Sequence, residues 1–217
     1  MAAPESSRQR LLQAGKHLFA TRGYENTSTI MIAREAGTSE SQLIKHFGSK
    51  DGLLESIFQE GWSKMNLQMA AVRTIDDPLQ KLRALIQLPM DLMESDPELK
   101  ELMLLESRRI RKQGSTVLIT QSFMDFMDTA DDVLKQMHER GQLRANLRPA
   151  AVRSALIGMA EGIMRDQLLA RRMGRGEIHD RAEVQQLIEV VLPSMLAPQA
   201  QSGQISAANS GKTKAAR

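Results

Sequence analysis

The chain has 217 residues, 29 lysines and arginines against 26 acidic residues, and no cysteine. The lack of cysteine excludes a disulfide framework, thiolate metal sites and thiol catalysis. No apolar run in the sequence reaches the roughly 20 residues that span a bilayer. The N-terminal stretch MAAPESSRQR lacks the apolar core of a signal peptide, so we expect a cytoplasmic protein without a membrane partner.

Helical periodicity recurs almost throughout the chain, and 14 methionines against five phenylalanines favour packed helices over a β-sandwich. Capping residues mark the helix starts, among them Ser6 with Gln9, Asp96 before Pro97, and Asp180 with Glu183. The predicted helices are 6–23, 27–37, 39–47, one that starts at 49, 78–94, 97–112, 115–140, 149–172 and 180–197. The predicted fold class is therefore all-α.

The formal net charge of +3 permits binding to nucleic acid but does not argue for it. Much of the excess lies in residues 198–217, which carry Lys212, Lys214 and Arg217 and no acid. This segment has one large apolar residue, Ile205, so it cannot bury enough surface to offset its ordering entropy. We predict a disordered basic tail there.

The informative block is residues 27–50, TSTIMIAREAGTSESQLIKHFGSK. A short helix, a turn at Gly37 and a second short helix make a helix-turn-helix, in which Ala33 lets the helices cross closely. The second helix projects polar residues outward, and such a helix fits the major groove of DNA. A helix pair of this kind can also be plain packing or a protein-contact site.

Together, the stretch FATRGYENTSTIMIAREAGTS at residues 19–39 and HFGSK at residues 46–50 resemble the TetR family of bacterial transcriptional repressors. The resemblance covers about residues 8–54. It implies an N-terminal helix-turn-helix domain at 1–53 and a helical effector-binding and dimerisation domain at 54–197. Ser41, Ile44 and the acidic Glu40 depart from the family pattern.

The resemblance implies DNA contacts on two helices and at the start of a third. The hydroxyls at the start of the second helix would meet phosphates, and the third helix would read bases, Gln42 at adenine and Lys45 at guanine or a phosphate. Lys50 would grip a phosphate. The predicted DNA-binding residues are Thr27, Ser28, Thr29, Ser39, Ser41, Gln42, Lys45, His46 and Lys50.

Family members use the remaining helices for a homodimer interface and a ligand cavity. Gly158 and Gly162 permit close helix approach, although the same apolar faces also suit intrachain core. The predicted interface residues are Leu156, Met159, Ile163, Val184, Leu187, Ile188, Val191 and Met195. The predicted ligand-binding residues are Met90, Met93, Met103, Glu106, Phe123, Phe126 and Met127.

Each of the apolar ligand candidates has an alternative as core filler, and Glu106 has one as the partner of Arg109 or Arg111. The four histidines are scattered without metal spacing, and the sequence has no Gly-rich phosphate loop. We therefore predict no enzyme, no cofactor and no metal.

The function predicted is a dimeric repressor of operator DNA, released by a small, largely apolar effector. The alternatives are a constitutive DNA-binding regulator, and a helical carrier with a vestigial DNA-binding domain.

Overall fold

The structure, a computed structural model, describes residues 5–107 and 120–198, without the side chain of Met93. The predicted helix residues 108–112 and 115–119 and the predicted tail beyond Pro198 lie outside the described residues. Within them the chain forms helices and no strand, which confirms the all-α prediction. The helices are α1 (Ser7–Arg22), α2 (Thr29–Glu35), α3 (Glu40–Phe47), α4 (Lys50–Arg73), α5 (Pro78–Ser95), α6 (Pro97–Leu105), α7 (Gln121–Glu139), α8 (Pro149–Arg172) and α9 (Arg181–Met195).

The predicted capping residues begin their helices. The hydroxyl of Ser6 accepts from the backbone N–H of Gln9 at 3.3 Å. At the start of α9 the N–H of Glu183 donates to Asp180 Oδ1 at 2.8 Å, and the N–H of Asp180 donates to Glu183 Oε2 at 2.9 Å. These bonds satisfy N–H groups that have no partner inside the helix, which is why these two helix starts follow the sequence closely.

Two other predicted bounds were wrong. The helix predicted to run from 97 to 112 ends at Leu105. The next helix, α7, begins at Gln121, because the hydroxyl of Thr120 accepts from the N–H of Phe123 at 3.2 Å.

The chain divides into two compact units, Met1–Val72 with Gln87–Met127 and Arg73–Ile86 with Asp128–Arg217. The predicted division between residues 53 and 54 stays a prediction. In the first unit α1 packs against α2, α3 and α6, and α2 packs against α3. The fully buried large side chains of α1 to α4 form its core, and they are Leu11, Phe19, Ile32, Leu43, Leu53, Leu54, Phe58, Met65 and Met69.

In the second unit, an ion pair between Arg153 and Asp131 joins α8 to α7. The side-chain oxygen of Gln167, a residue only 8% exposed, accepts from the N–H groups of Ile178 at 3.0 Å and His179 at 3.2 Å. Gln167 therefore ties α8 to the loop that leads into α9. None of the described helices combines the length and the apolar character that crossing a bilayer needs.

Candidate nucleic-acid interface

The turn between α2 and α3 is held by backbone hydrogen bonds and by a side chain of α1. Gly37 has φ +60°, a left-handed conformation that glycine adopts without strain. The N–H of Thr38 donates to the carbonyl of Ala33 at 2.9 Å. Arg10 Nε of α1 donates to the carbonyl of Ala36 at 3.0 Å. The backbone bond within the turn and the bond from Arg10 together hold α3 at its angle to α2.

One side of α3 faces the core and the other is open. Leu43 is 0% exposed and packs inward. The exposed side carries Glu40, Ser41, Ile44, Lys45 and His46. This separation follows from the helical period, because residues three and four apart share a face.

The predicted recognition residues lie on or beside this open side. Ser41, Lys45 and His46 are exposed and Gln42 is half-buried. Ser39 is the N-cap of α3, and its hydroxyl accepts from the N–H of Gln42 at 3.4 Å. His46 Nε2 lies 3.1 Å from the hydroxyl of Ser7 in α1. Their contacts with DNA stay predictions.

Two of the three hydroxyl residues at the start of α2 are at or near its surface. Ser28 is exposed and is the N-cap of α2, accepting from the N–H of Met31 at 3.2 Å. Thr29 is half-buried and donates to the carboxylate of Glu40. This bond joins the start of α2 to the start of α3, so Glu40 is the partner of Thr29 as well as an acid on the exposed side of α3.

Thr27 corrects the predicted set. It is 1% exposed, and its hydroxyl lies 2.9 Å from the carbonyl of Gly23 and 3.2 Å from that of Leu18. A side chain buried in this way offers no hydroxyl to a phosphate. The reason is its position before the N-cap, where the side chain turns back toward the end of α1.

Lys50 has protein partners that the sequence did not predict. Its Nζ donates to the carbonyls of Tyr24 at 3.0 Å and Thr27 at 2.9 Å, and it lies 4.1 Å from the centroid of the Tyr24 ring. The Tyr24 hydroxyl donates to Asp51 Oδ1 at 2.5 Å. Lys50 therefore ties the start of α4 to the turn between α1 and α2. Its phosphate contact stays a prediction.

Arg8 is a cation beside α3 that sequence reasoning missed. Its guanidinium carbon lies 5.3 Å from the centroid of the Phe47 ring, at the C-terminal end of α3. Arg8 is exposed, so it adds a positive charge beside the C-terminal end of α3. The only signal in the sequence was its position one helical turn before the apolar stripe of α1.

The predicted ligand residues fall in the first unit, with mixed exposure. Met90, Met103 and Phe126 are buried, while Glu106, Phe123 and Met127 are half-buried. The side chain of Met93 lies outside the described part. The ring of Trp62 in α4 lies 5.0 Å from that of Phe123 and 5.4 Å from that of Phe126, between centroids.

A polar group beside these rings was missed from the sequence. Asn66 Nδ2 donates to the carbonyl of Ser122 at 3.3 Å, and Gln59 Nε2 donates to the Ser122 hydroxyl at 2.8 Å. Within the described residues, the buried atoms Trp62 Nε1 and Asn66 Oδ1 have no hydrogen-bond partner. Trp62 and Asn66 are four residues apart on α4, a spacing that the sequence does show.

A cavity of about 100 Å³ lies elsewhere in the first unit, among α1, α4 and α6. Its polar lining includes Lys16, Glu60, Lys64 and Asp96, and none of the predicted ligand residues lines it. Lys16 Nζ lies 2.7 Å from Asp96 Oδ2. In the part of the chain that the structure describes, no three His, Asp or Glu side chains are grouped to hold a metal ion.

The predicted dimer residues divide by burial. Leu156 is 4% exposed and Ile188 is 5% exposed, so both belong to the core of their own unit, a correction to the predicted set. They lie on the faces of α8 and α9 that also bury Val152 and Leu192. Leu187 is 41% exposed, and the half-buried members are Met159, Ile163, Val184, Val191 and Met195.

The open side of these two helices has an apolar residue that the sequence prediction left out. Val190 is 71% exposed and follows Leu187 by three residues on α9. On α8, a Cβ at Gly158 or Gly162 would meet no atom within 4 Å. The side of α8 that carries these glycines is therefore open within its unit.

The capped helix-turn-helix, the buried Leu43 and the exposed, polar side of α3 are the features of a helix-turn-helix domain of the kind that binds DNA. Residues 11–57 match the sequence model of the bacterial regulatory proteins of the tetR family. For residues 11–57, this match confirms the resemblance to the TetR family that the motifs of residues 8–54 predict.

Similarity to relatives and to solved structures extends beyond these residues. The chain is 28% identical over 171 residues to the nucleoid occlusion factor SlmA of Shewanella halifaxensis, covering 74% of this chain and 83% of that protein. A tetR family transcription regulator of Shewanella sp. PV-4 has the same fold, with a TM-score of 0.70, 20% identity, and 89% and 100% of the two chains covered. FadR of Bacillus subtilis, solved with stearoyl-CoA, gives a TM-score of 0.64, 18% identity, and 75% and 88% covered.

Proposed function

We propose that the protein is a repressor that binds a palindromic operator through α3 and leaves it when a small, largely apolar ligand binds. The observation that carries this proposal is the open side of α3. Ser41, Lys45 and His46 are exposed there while Leu43 holds the opposite side in the core. Side chains of these types donate and accept hydrogen bonds at base edges and phosphates.

The proposed homodimer forms through α8 and α9. The exposed Leu187 and Val190 and the open glycine side of α8 support this assignment, because apolar surface and close helix approach both favour association. A dimer also suits the DNA. One recognition helix buries little surface, whereas two helices spaced by one helical turn read two half-sites.

The proposed ligand site lies around Trp62, whose ring contacts those of Phe123 and Phe126. The unpartnered Trp62 Nε1 donor and Asn66 Oδ1 acceptor support a ligand that is largely apolar and carries a hydrogen-bonding group. Stearoyl-CoA in FadR of Bacillus subtilis is such a molecule. Ligand binding would favour a dimer whose α3 helices no longer match the half-site spacing.

The test of operator binding uses the full-length chain and a pool of random duplex DNA. The proposal predicts that repeated selection at moderate salt enriches one palindromic sequence, and that Lys45→Ala weakens binding to it without changing the unfolding temperature. A protein that enriches no sequence is not an operator-binding repressor. If it still binds an apolar ligand, the helical-carrier alternative is supported.

A second candidate function comes from the relative SlmA, whose name describes a nucleoid occlusion factor. The observation in its favour is that the similarity extends over 74% of this chain and so reaches well beyond the helix-turn-helix. A map of the bound sites over the whole chromosome distinguishes the proposed repressor from a nucleoid occlusion factor. A local repressor occupies one or a few promoters, whereas a role at the nucleoid requires many dispersed sites. A constitutive regulator would keep its sites in the presence of every ligand tested.

A further inference from the structure

Ile44 is an apolar residue in the middle of the open side of α3. It is 45% exposed, although it lies next to Leu43, which is 0% exposed. Residues three and four apart share one face of a helix, so Ile44 lies with Ser41 on one side and next to Lys45 on the other. It is therefore surrounded by the polar residues with which α3 is proposed to read DNA.

Helix stability does not explain an isoleucine at this position. A β-branched side chain loses rotamer freedom in a helix and is a poorer helix former than the lysine or glutamine beside it. Burial does not explain it either, because Leu43 already fills the core position of this turn. Single exposed apolar residues are common on protein surfaces, but Ile44 lies within the proposed DNA-binding side of α3.

The major groove offers one apolar group, the 5-methyl group of thymine. The other three bases present only donors and acceptors there, which an isoleucine would leave without partners. Lys45, and Gln42 on the half-buried edge of α3, suit those polar groups. We infer that Ile44 contacts the 5-methyl group of a thymine in each half-site and thereby excludes cytosine at that base pair. This inference rests on the proposed operator binding.

The experiment starts from the sequence that full-length protein selects from random duplex DNA. Each thymine of that duplex is replaced in turn by uracil, which removes the methyl group and leaves the base-pairing edge unchanged. At one thymine per half-site we expect the affinity to fall about fourfold, the effect of one buried methyl-sized group. At that position, Ile44→Ala binds the thymine and the uracil duplexes with equal affinity.

Ile30→Ala is the matched control. Ile30 is 64% exposed and belongs to the same unit, but it lies on α2. Ile30→Ala removes the same atoms as Ile44→Ala but leaves α3 unchanged. We therefore expect the Ile30→Ala variant to keep the preference for thymine over uracil. Both isoleucines are exposed, and both variants should unfold at the temperature of the unchanged protein.

Two results overturn the inference while leaving operator binding in place. One is a selected duplex in which no thymine position responds to uracil. The other is an Ile44→Ala variant that still prefers thymine at the sensitive position. If no sequence is selected at all, operator binding and the inference both fail.

Discussion

Thr27 carries its hydroxyl into the protein, although it stands in a run of three hydroxyl residues that resembles a phosphate-binding helix start. Its Oγ1 lies within hydrogen-bond distance of the carbonyls of Gly23 and Leu18. Thr27→Val keeps the shape and removes the donor, so the hydrogen bond that the hydroxyl shares between these two carbonyls is lost in a 1% exposed site. We expect the free energy of unfolding to fall by about 1–2 kcal/mol, measured by urea unfolding.

The affinity of folded Thr27→Val for the selected duplex should stay unchanged, because the side chain does not reach the surface. Thr21→Val is the control, since Thr21 is an exposed threonine of α1 whose hydroxyl donates to the carbonyl of His17. That variant should be close to neutral. If Thr27→Val has normal stability and weakened DNA binding, the hydroxyl of Thr27 does contact a phosphate, as the sequence predicts.

For single residues, the sequence predicts which residue types belong to the proposed site, but it does not show the direction in which each side chain points. The run Thr27-Ser28-Thr29 predicts a helix start, but only one of its hydroxyls can be the N-cap. The structure gives that role to Ser28. Similarly, the sequence predicts Lys50 as a cation for a phosphate, but it does not show its two carbonyl partners, which lie 26 and 23 residues earlier in the chain.

At the scale of whole elements, Asp96 performs two tasks at the start of α6. Its Oδ1 accepts from the N–H of Leu99 at 3.1 Å, and its Oδ2 lies 2.7 Å from Lys16 Nζ in α1. Asp96→Asn keeps the cap and removes the charge, and we expect a loss of about 0.5 kcal/mol in the free energy of unfolding. Asp96→Ala also removes the cap and should cost about 1 kcal/mol more, again by urea unfolding.

Glu98→Gln serves as the control for the charge change. Glu98 lies on the same helix and pairs with His17 at 2.7 Å, but both side chains are more exposed than those of the Lys16–Asp96 pair. Its effect should be smaller than that of Asp96→Asn. Equal losses for Asp96→Asn and Asp96→Ala would mean that the cap contributes nothing to the stability of α6.

The helix starts that capping residues mark were the most predictable feature of this fold. The Asp-Pro pairs, the Ser6 cap and the Asp180 capping box depend on residues within three positions of each other, so a sequence displays them directly. Burial of a helix face is different, because it depends on which elements meet. The apolar residues of α8 and α9 suit an intrachain core as well as an interface, and only the structure shows that Leu156 and Ile188 are buried within their own unit.

The last prediction concerns the whole molecule, because the proposed operator has two half-sites and one chain has a single α3. Val190 is 71% exposed, so Val190→Glu should leave the folded chain intact. In a two-fold dimer through α9, each chain would bring a carboxylate into the apolar contact, where burial without a partner is costly. We expect monomers in sedimentation equilibrium at micromolar concentration. The palindromic duplex should then bind with the weak affinity of a single half-site, since the two recognition helices are no longer joined.

Leu67→Glu, on a leucine of α4 that is 79% exposed, introduces the same charge in the first unit and should leave the dimer and its operator affinity unchanged. A Val190→Glu protein that stays dimeric would move the interface away from α9, whatever DNA it binds.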